Sequence, residues 1–317
     1  MSARWGVCSR VLAACMSVVA VGACELEELT LVEAEDVVVA EVILESLEGV
    51  DGAVAVRAFL HRTLGAAGSG FQPVPGARIS IRGEDGRTLE LAETPQDRCA
   101  ETLPVDGDGT CYWSVPGAAD WLDPGDRFEV EILLAGGGVL RGTTSIPGDF
   151  RLAGLGPGSV CRLDADTPLE IHWSPSDGAW AYVNETLIEG LGTALAPEGI
   201  EADDPLYLLG LSVSASDTSI VFPGEFGVFN RFELEQDLAL RLQRGLPVGT
   251  TADITITATD RNYVNWVRGG NFNPSGQVRL PSLRGDGTGV FASVLVRKLS
   301  VVVAPGDAVA APDCPIF

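Results

Sequence analysis

Arg127-Phe128-Glu129-Val130-Glu131-Ile132-Leu133-Leu134 decides the fold class. Phe128, Val130, Ile132 and Leu134 fall on one side of an extended chain and Arg127, Glu129 and Glu131 on the other. That two-residue period belongs to a strand with one face in a core and one in water. The same alternation sets Ala77, Ile79 and Ile81 against Arg78, Ser80 and Arg82, and further strands are predicted at 37–44, 54–60, 89–91, 112–115 and 139–146. Pro-Gly, which supplies a fixed φ and then a positive one for tight turns, recurs at 75, 116, 124, 147, 157, 223 and 305. After a glycine-rich passage at 148–159, alternation restarts with Leu169, Ile171 and Trp173 opposite Glu170, His172 and Ser174. More strands are predicted near 180–186, 206–213, 252–259 and 290–303. The expected fold is all-β: two consecutive β-sandwich domains, at 37–148 and 149–317.

The second domain is expected to carry a short helical insert near 233–244. There Leu234, Leu238 and Leu242 share one face, Arg241 and Arg244 fill the last turn, and Gly245 and Pro247 stop the helix. A turn of helix is also predicted over 260–267, capped by Asp260.

The 317 residues carry a formal charge of -23, which argues against nucleic acid as a partner. With 46% hydrophobic and 21% charged residues and a mean hydropathy of +0.21, the chain has enough apolar surface to fold. At the amino terminus, Arg4 and Arg10 precede a run of 13 almost wholly apolar residues, 11–23, that ends in Val21-Gly22-Ala23. This reads as an export signal over 1–23. A 13-residue helix rises only about 20 Å, too short to span a bilayer.

Val21-Gly22-Ala23-Cys24 resembles the lipobox of bacterial lipoproteins, in which the cysteine is acylated and the preceding bond cut. The resemblance implies that Cys24 is a lipid anchor holding the protein to a membrane, with two or three acyl chains giving durable attachment. Ordinary secretory cleavage after Ala23 is the alternative. Glu25 follows in place of the aspartate that retains enteric lipoproteins at the inner membrane, so the resemblance points to the outer membrane. Residues 24–36 are acidic and read as a solvated tether or an export tag.

Beyond the signal and Cys24, four cysteines remain, an even count that in an exported chain suggests disulfides. Pairing neighbours with neighbours and ends with ends joins Cys99 to Cys111 and Cys161 to Cys314. Zinc is the competing reading, but no C-x-x-C pair occurs and both histidines are remote in sequence.

Val74-Pro75-Gly76-Ala77-Arg78-Ile79-Ser80-Ile81, followed by Asp85-Gly86, Gly109 to Tyr112 and Leu122-Asp123-Pro124-Gly125, resembles the carboxypeptidase-regulatory or transthyretin-like sandwich. The resemblance implies Ig-like or transthyretin-like topology. Asp260-Arg261-Asn262-Tyr263-Val264-Asn265-Trp266, Asn271-Phe272-Asn273-Pro274-Ser275 and Gly287-Thr288-Gly289-Val290-Phe291 resemble the closing region of an uncharacterised bacterial lipoprotein family often encoded near TonB-dependent receptors. That likeness implies an outer-membrane receptor as partner, and it carries over no catalytic residue.

Enzymatic constellations are scarce. A serine-hydrolase triad needs a histidine, and only His61 and His172 exist; no Gly-x-Ser-x-Gly elbow is present. Both histidines alternate with apolar residues and read as solvated. Asp106-Gly107-Asp108-Gly109-Thr110 opens like a calcium loop, but its twelfth position is Gly117, so a hairpin turn fits better. Asp120, Asp123 and Asp126 read either as calcium ligands gathered by a turn or as a solvated loop. Arg284-Gly285-Asp286 reads as a turn. Tyr263, Trp266 and Phe272, interleaved with asparagines, form a possible ligand patch suited to stacking on sugar or peptide, with core packing as the alternative. The expectation is a non-enzymatic accessory or binding module without cofactor or metal. A structural or adhesive surface protein and a cryptic hydrolase are the alternatives.

Overall fold

A computed structural model of the chain describes residues 36–47, 54–63, 72–100, 109–156, 158–212, 214–224, 236–268, 280–304 and 311–315. Cys24, Phe272, Leu234, the acidic tether up to residue 35 and the Asp106–Asp108 stretch lie outside the described residues. The alternating segments form strands: β1 (Val38–Leu47), β2 (Val54–Arg62), β3 (Gln72–Pro73), β4 (Arg78–Gly83), β5 (Thr88–Thr94), β6 (Thr110–Ser114), β7 (Arg127–Leu133) and β8 (Val139–Ser145). The second half adds β9 (Ser159–Leu163), β10 (Leu169–His172), β11 (Ala181–Glu189), β12 (Leu206–Leu211), β13 (Ser219–Phe222), β14 (Thr251–Thr259), β15 (Arg284–Gly285) and β16 (Thr288–Val303). The protein is all-β, and its strands fold over two cores sandwich fashion.

The first core gathers the inward halves of those alternations: Ile79 and Ile81 from β4, Phe128, Val130 and Ile132 from β7, Leu140 from β8. Tyr112 is nearly fully buried there, donating from its hydroxyl to Val74 O (2.9 Å) and accepting from Ala77 N (3.0 Å), so it ties β6 to the Pro75-Gly76 turn. The second core contains Phe150, Leu163, Ile171, Tyr182, Ile254 and Leu299. Its sheet is covered in part by the pair β10–β13, by the short helix α2 (Leu191–Leu195) and by helix α3 (Gln236–Leu242). Leu238 and Leu242 of α3 are buried as the period predicts. Arg241, also buried, is held by Glu198 (2.9 Å), Asp166 (2.7 Å) and Gly245 O (3.0 Å).

The two cores share one strand. In β16, residues 288–296 run parallel to β1, while 294–302 run antiparallel to β14 and 299–303 parallel to β9. Its inward side chains divide accordingly: Phe291 enters the first core, and Leu295, Leu299, Val301 and Val303 enter the second. Sixteen residues of strand reach roughly 50 Å, enough to span both cores. The first core is therefore not closed by residues 37–148 alone, since Leu283 and Phe291 also fill it. At the boundary expected from sequence, buried Arg297 donates from Nε to Phe150 O (2.8 Å) and pairs with Asp149, fixing the connector against the shared strand.

Disulfides join Cys99 to Cys111 and Cys161 to Cys314, the pairing expected from neighbourhood along the chain. The first draws helix α1 (Asp97–Ala100) over β2, where Phe59, Cys99 and Cys111 pack together. His61, on the same face of β2 as Phe59, departs from the expectation. Its face of β2 is not solvated: His61 is only 7% exposed and its ring lies 5.8 Å from that of Phe59.

Candidate functional site

Helix α4 (Arg261–Arg268) forms where the capping signal predicted, because Asp260 Oδ1 accepts from Tyr263 N at 2.8 Å. The helix lies on the outer face of the shared strand. Tyr263 and Trp266 pack against Ile43, Val290, Ala292, Val294 and Val296, and Trp266 Nε1 donates to Glu41 Oε1 (2.9 Å). Burial, reinforced by the Glu185 carboxylate, pushes the Tyr263 hydroxyl up to about 12. The two aromatic residues that sequence singled out are thus engaged with the sheet, while Phe272 lies outside the described residues.

Asp260 also knits the halves. Its Oδ2 accepts from Thr144 Oγ1 (2.6 Å), which lies 3.0 Å from Ser293 Oγ, and Ser293 Oγ donates to Ser145 O (2.6 Å). Burial pushes this carboxyl up to about 6, although the surrounding donors pull the other way. A carboxyl raised in the folded state binds its proton more tightly folded than unfolded, so it adds stability as pH falls from 7 through 6 toward 4. From the ordinary value of 3.8, the neutral-pH penalty is about 3 kcal/mol. We expect Asp260→Asn to be at least as stable as the parent at pH 7 and to lose that advantage by pH 4. Urea unfolding of both proteins across this range measures it, and parallel pH profiles would refute it.

Beside α4 opens a groove of about 600 Å³. Its floor is the solvent face of β4, β7, β8 and β15, and strand register sets its residues in two rows. One row runs Ser80, Glu131, Arg141, Arg284, and the other Arg82, Glu129, Thr143. Its wall is the 281–284 segment with Asn262 of α4. The wall sits close because β8 has a glycine there: a Cβ at Gly142 would lie 2.8 Å from Ser282 O and 2.9 Å from a Leu283 methyl. Asn262 Nδ2 donates to Thr143 O (2.8 Å) and Phe291 O (2.9 Å), locking the helix to both strands.

Sequence reasoning missed this groove, since each of its charged residues sits on the polar side of an alternation and reads as ordinary solvated surface. Arg284-Gly285-Asp286, expected to be a turn, instead adds β15 to the edge of β8. Asp286 takes Val139 N on Oδ2 (2.8 Å) and gives its own N–H to Val139 O (2.9 Å), which draws the segment into the ladder. His172 stays partly exposed, 3.3 Å from Glu170, whereas Asp120, Asp123 and Asp126 are exposed. Among the described residues, no three His, Cys, Asp or Glu side chains gather closely enough to hold a metal ion. Among the same residues, no helix is long and apolar enough to cross a membrane.

No known protein family matches the chain, and no curated protein does. Among solved structures it is similar to a DUF4785 family protein from Legionella pneumophila, at 10% identity and a TM-score of 0.20, over 68% of this chain and 51% of that one. The chain thus spans about half the length of the Legionella protein. It is also similar to Dpr11 IG1 bound to DIP-gamma (8% identity, TM-score 0.19, 86% and 100% covered) and to DIP-gamma IG1+IG2 (7%, 0.18, 84% and 99%). The all-β assignment rests on the chain's own strands. They define a disulfide-bonded protein of two sandwich cores, an architecture compatible with a structural or binding module.

Proposed function

We propose that the protein is a lipid-anchored, non-enzymatic binding module of the bacterial cell envelope, and that the groove beside α4 is its contact surface. The observation that carries the reading is the groove itself. Guanidinium, carboxylate, hydroxyl and amide groups stand in registered rows on strands, the kind of rigid polar array that recognises a ligand. The two disulfides favour an oxidising compartment outside the cytoplasm. The lipobox-like Val21-Gly22-Ala23-Cys24 supplies the anchor, and the outer membrane is the site of attachment. An outer-membrane uptake receptor is the partner that the family resemblance suggests.

The expected result is that Cys24→Ala moves the protein from the membrane fraction to the soluble periplasmic fraction, and that the native amino terminus carries acyl mass by mass spectrometry. Membrane retention of the variant, or an unmodified native terminus, would overturn the anchor. Co-purification of the native protein with an outer-membrane barrel tests the partner.

A further inference from the structure

The groove's charges do not balance within the protein. Arg141 and Arg284 are direct cross-strand partners on β8 and β15, and like charges so placed repel. Glu131 Oε2 takes Arg141 through both Nε (2.8 Å) and Nη2 (2.5 Å), so the carboxylate in that row is already engaged. Among the described residues, the Arg284 guanidinium makes no side-chain hydrogen bond or ion pair beyond the backbone ladder of its strand, and the Arg82 guanidinium, directly opposite Glu129, makes none either. A guanidinium set against a second one and lacking an acid of its own is a receptor for a carboxylate, which it grips through two parallel N–H donors.

The rest of the floor narrows the class. Glu129 lies across the strands from Arg82 and would repel a second negative group at that end, and the net charge of -23 repels polyanions from the whole molecule. What Glu129 and the hydroxyls of Ser80 and Thr143 suit is a ligand rich in neutral O–H groups, which donate to the carboxylate and exchange bonds with the hydroxyls. A volume of about 600 Å³ lies within the range of small-ligand sites. We propose that the groove binds a saccharide bearing a single carboxylate, a uronate, with the carboxylate on Arg284 and the sugar hydroxyls over Glu129, Ser80 and Thr143. The proposal rests on the binding-module reading and names its ligand.

The test is calorimetric titration of the full-length protein in detergent with a trisaccharide carrying one glucuronate, beside its neutral glucose counterpart, acetate, and a tripeptide containing one glutamate. Saturable binding of the glucuronate trisaccharide is expected, at least about tenfold tighter than the neutral sugar, and weakened about tenfold or more by Arg284→Gln with an unchanged melting temperature. Arg284→Lys, which keeps the charge but loses the two-pronged grip, should fall between them. The proposal is overturned by absence of saturable binding, by equal affinity for the neutral sugar, by equal affinity for acetate or the glutamate tripeptide, or by an unaffected Arg284→Gln. Such a failure is distinguishable from failure of the module reading. Co-purification with a receptor would then persist without the sugar site, whereas loss of co-purification with sugar binding intact would overturn the receptor alone.

Discussion

Gly289→Ala is expected to leave little folded protein. Gly289 pairs with Ala40 where β16 joins β1, and it adopts φ +139°, a conformation that only glycine takes readily. A Cβ there would lie 1.9 Å from Ala40 O, a backbone atom held in the ladder, so neither side can give way cheaply. Breaking this register would disturb the strand that both cores use, and Phe291 two residues on would lose its seat in the first core. The expected cost exceeds about 4 kcal/mol, a large share of the total stability of a typical domain. Gly86→Ala is the control: φ is also positive (+84°), yet nothing lies within 4 Å of the added carbon, so only the backbone term of about 1 kcal/mol applies. Soluble yield and urea unfolding of the two variants decide the matter. A Gly289→Ala protein within 1 kcal/mol of Gly86→Ala, on the order of backbone strain alone, would show that the β1–β16 register is not what holds the halves together.

Removing the long disulfide should have an effect of comparable size. Cys161 and Cys314 are 153 residues apart, and on the loop-entropy account their bond restrains the unfolded chain by about 5 kcal/mol, against about 3 kcal/mol for the 12-residue separation of Cys99 and Cys111. The folded ends would still meet through Arg162 N to Pro312 O (2.7 Å), Cys314 N to Arg162 O (2.8 Å) and the Arg162–Asp313 ion pair. The loss therefore falls chiefly on the freedom of the unfolded state. Denaturant unfolding of Cys161→Ser/Cys314→Ser and Cys99→Ser/Cys111→Ser should rank them in that order. Equal losses, or the reverse order, would mean that local packing around each bridge outweighs chain entropy.

The first prediction acts on strand β16 and the second on β9 beside it; the existence of β16 was legible in the sequence and its role was not. The largely apolar run at 290–303 announces a strand, but nothing local says that its first half completes one core and its second half another. Strands β3, β9, β13 and β15 were missed for a related reason: each is short and takes its form from a neighbour's ladder. His61 shows the same limit. Its alternation is correct for a strand, but its burial beside Phe59 comes from contacts that no local pattern announces.

The candidate site divides along the same line. The Asp260 cap and the helix that presents Asn262 are encoded within a few residues, and sequence predicted them. The groove floor is not: Ser80, Glu131, Arg141 and Arg284 become a row only because four strands align in one register, and the clash of Arg141 with Arg284 exists only across that ladder. Sequence alone determined the all-β class, the turns and the helix cap, since each follows from periods and spacings that a chain carries locally; the joining of Cys161 to Cys314 across 153 residues is a matter of the fold. Tertiary structure alone decided that one strand serves both cores and that scattered polar residues meet in a groove, because hydrogen-bond register between distant segments is fixed by packing and not by any residue's nearest neighbours.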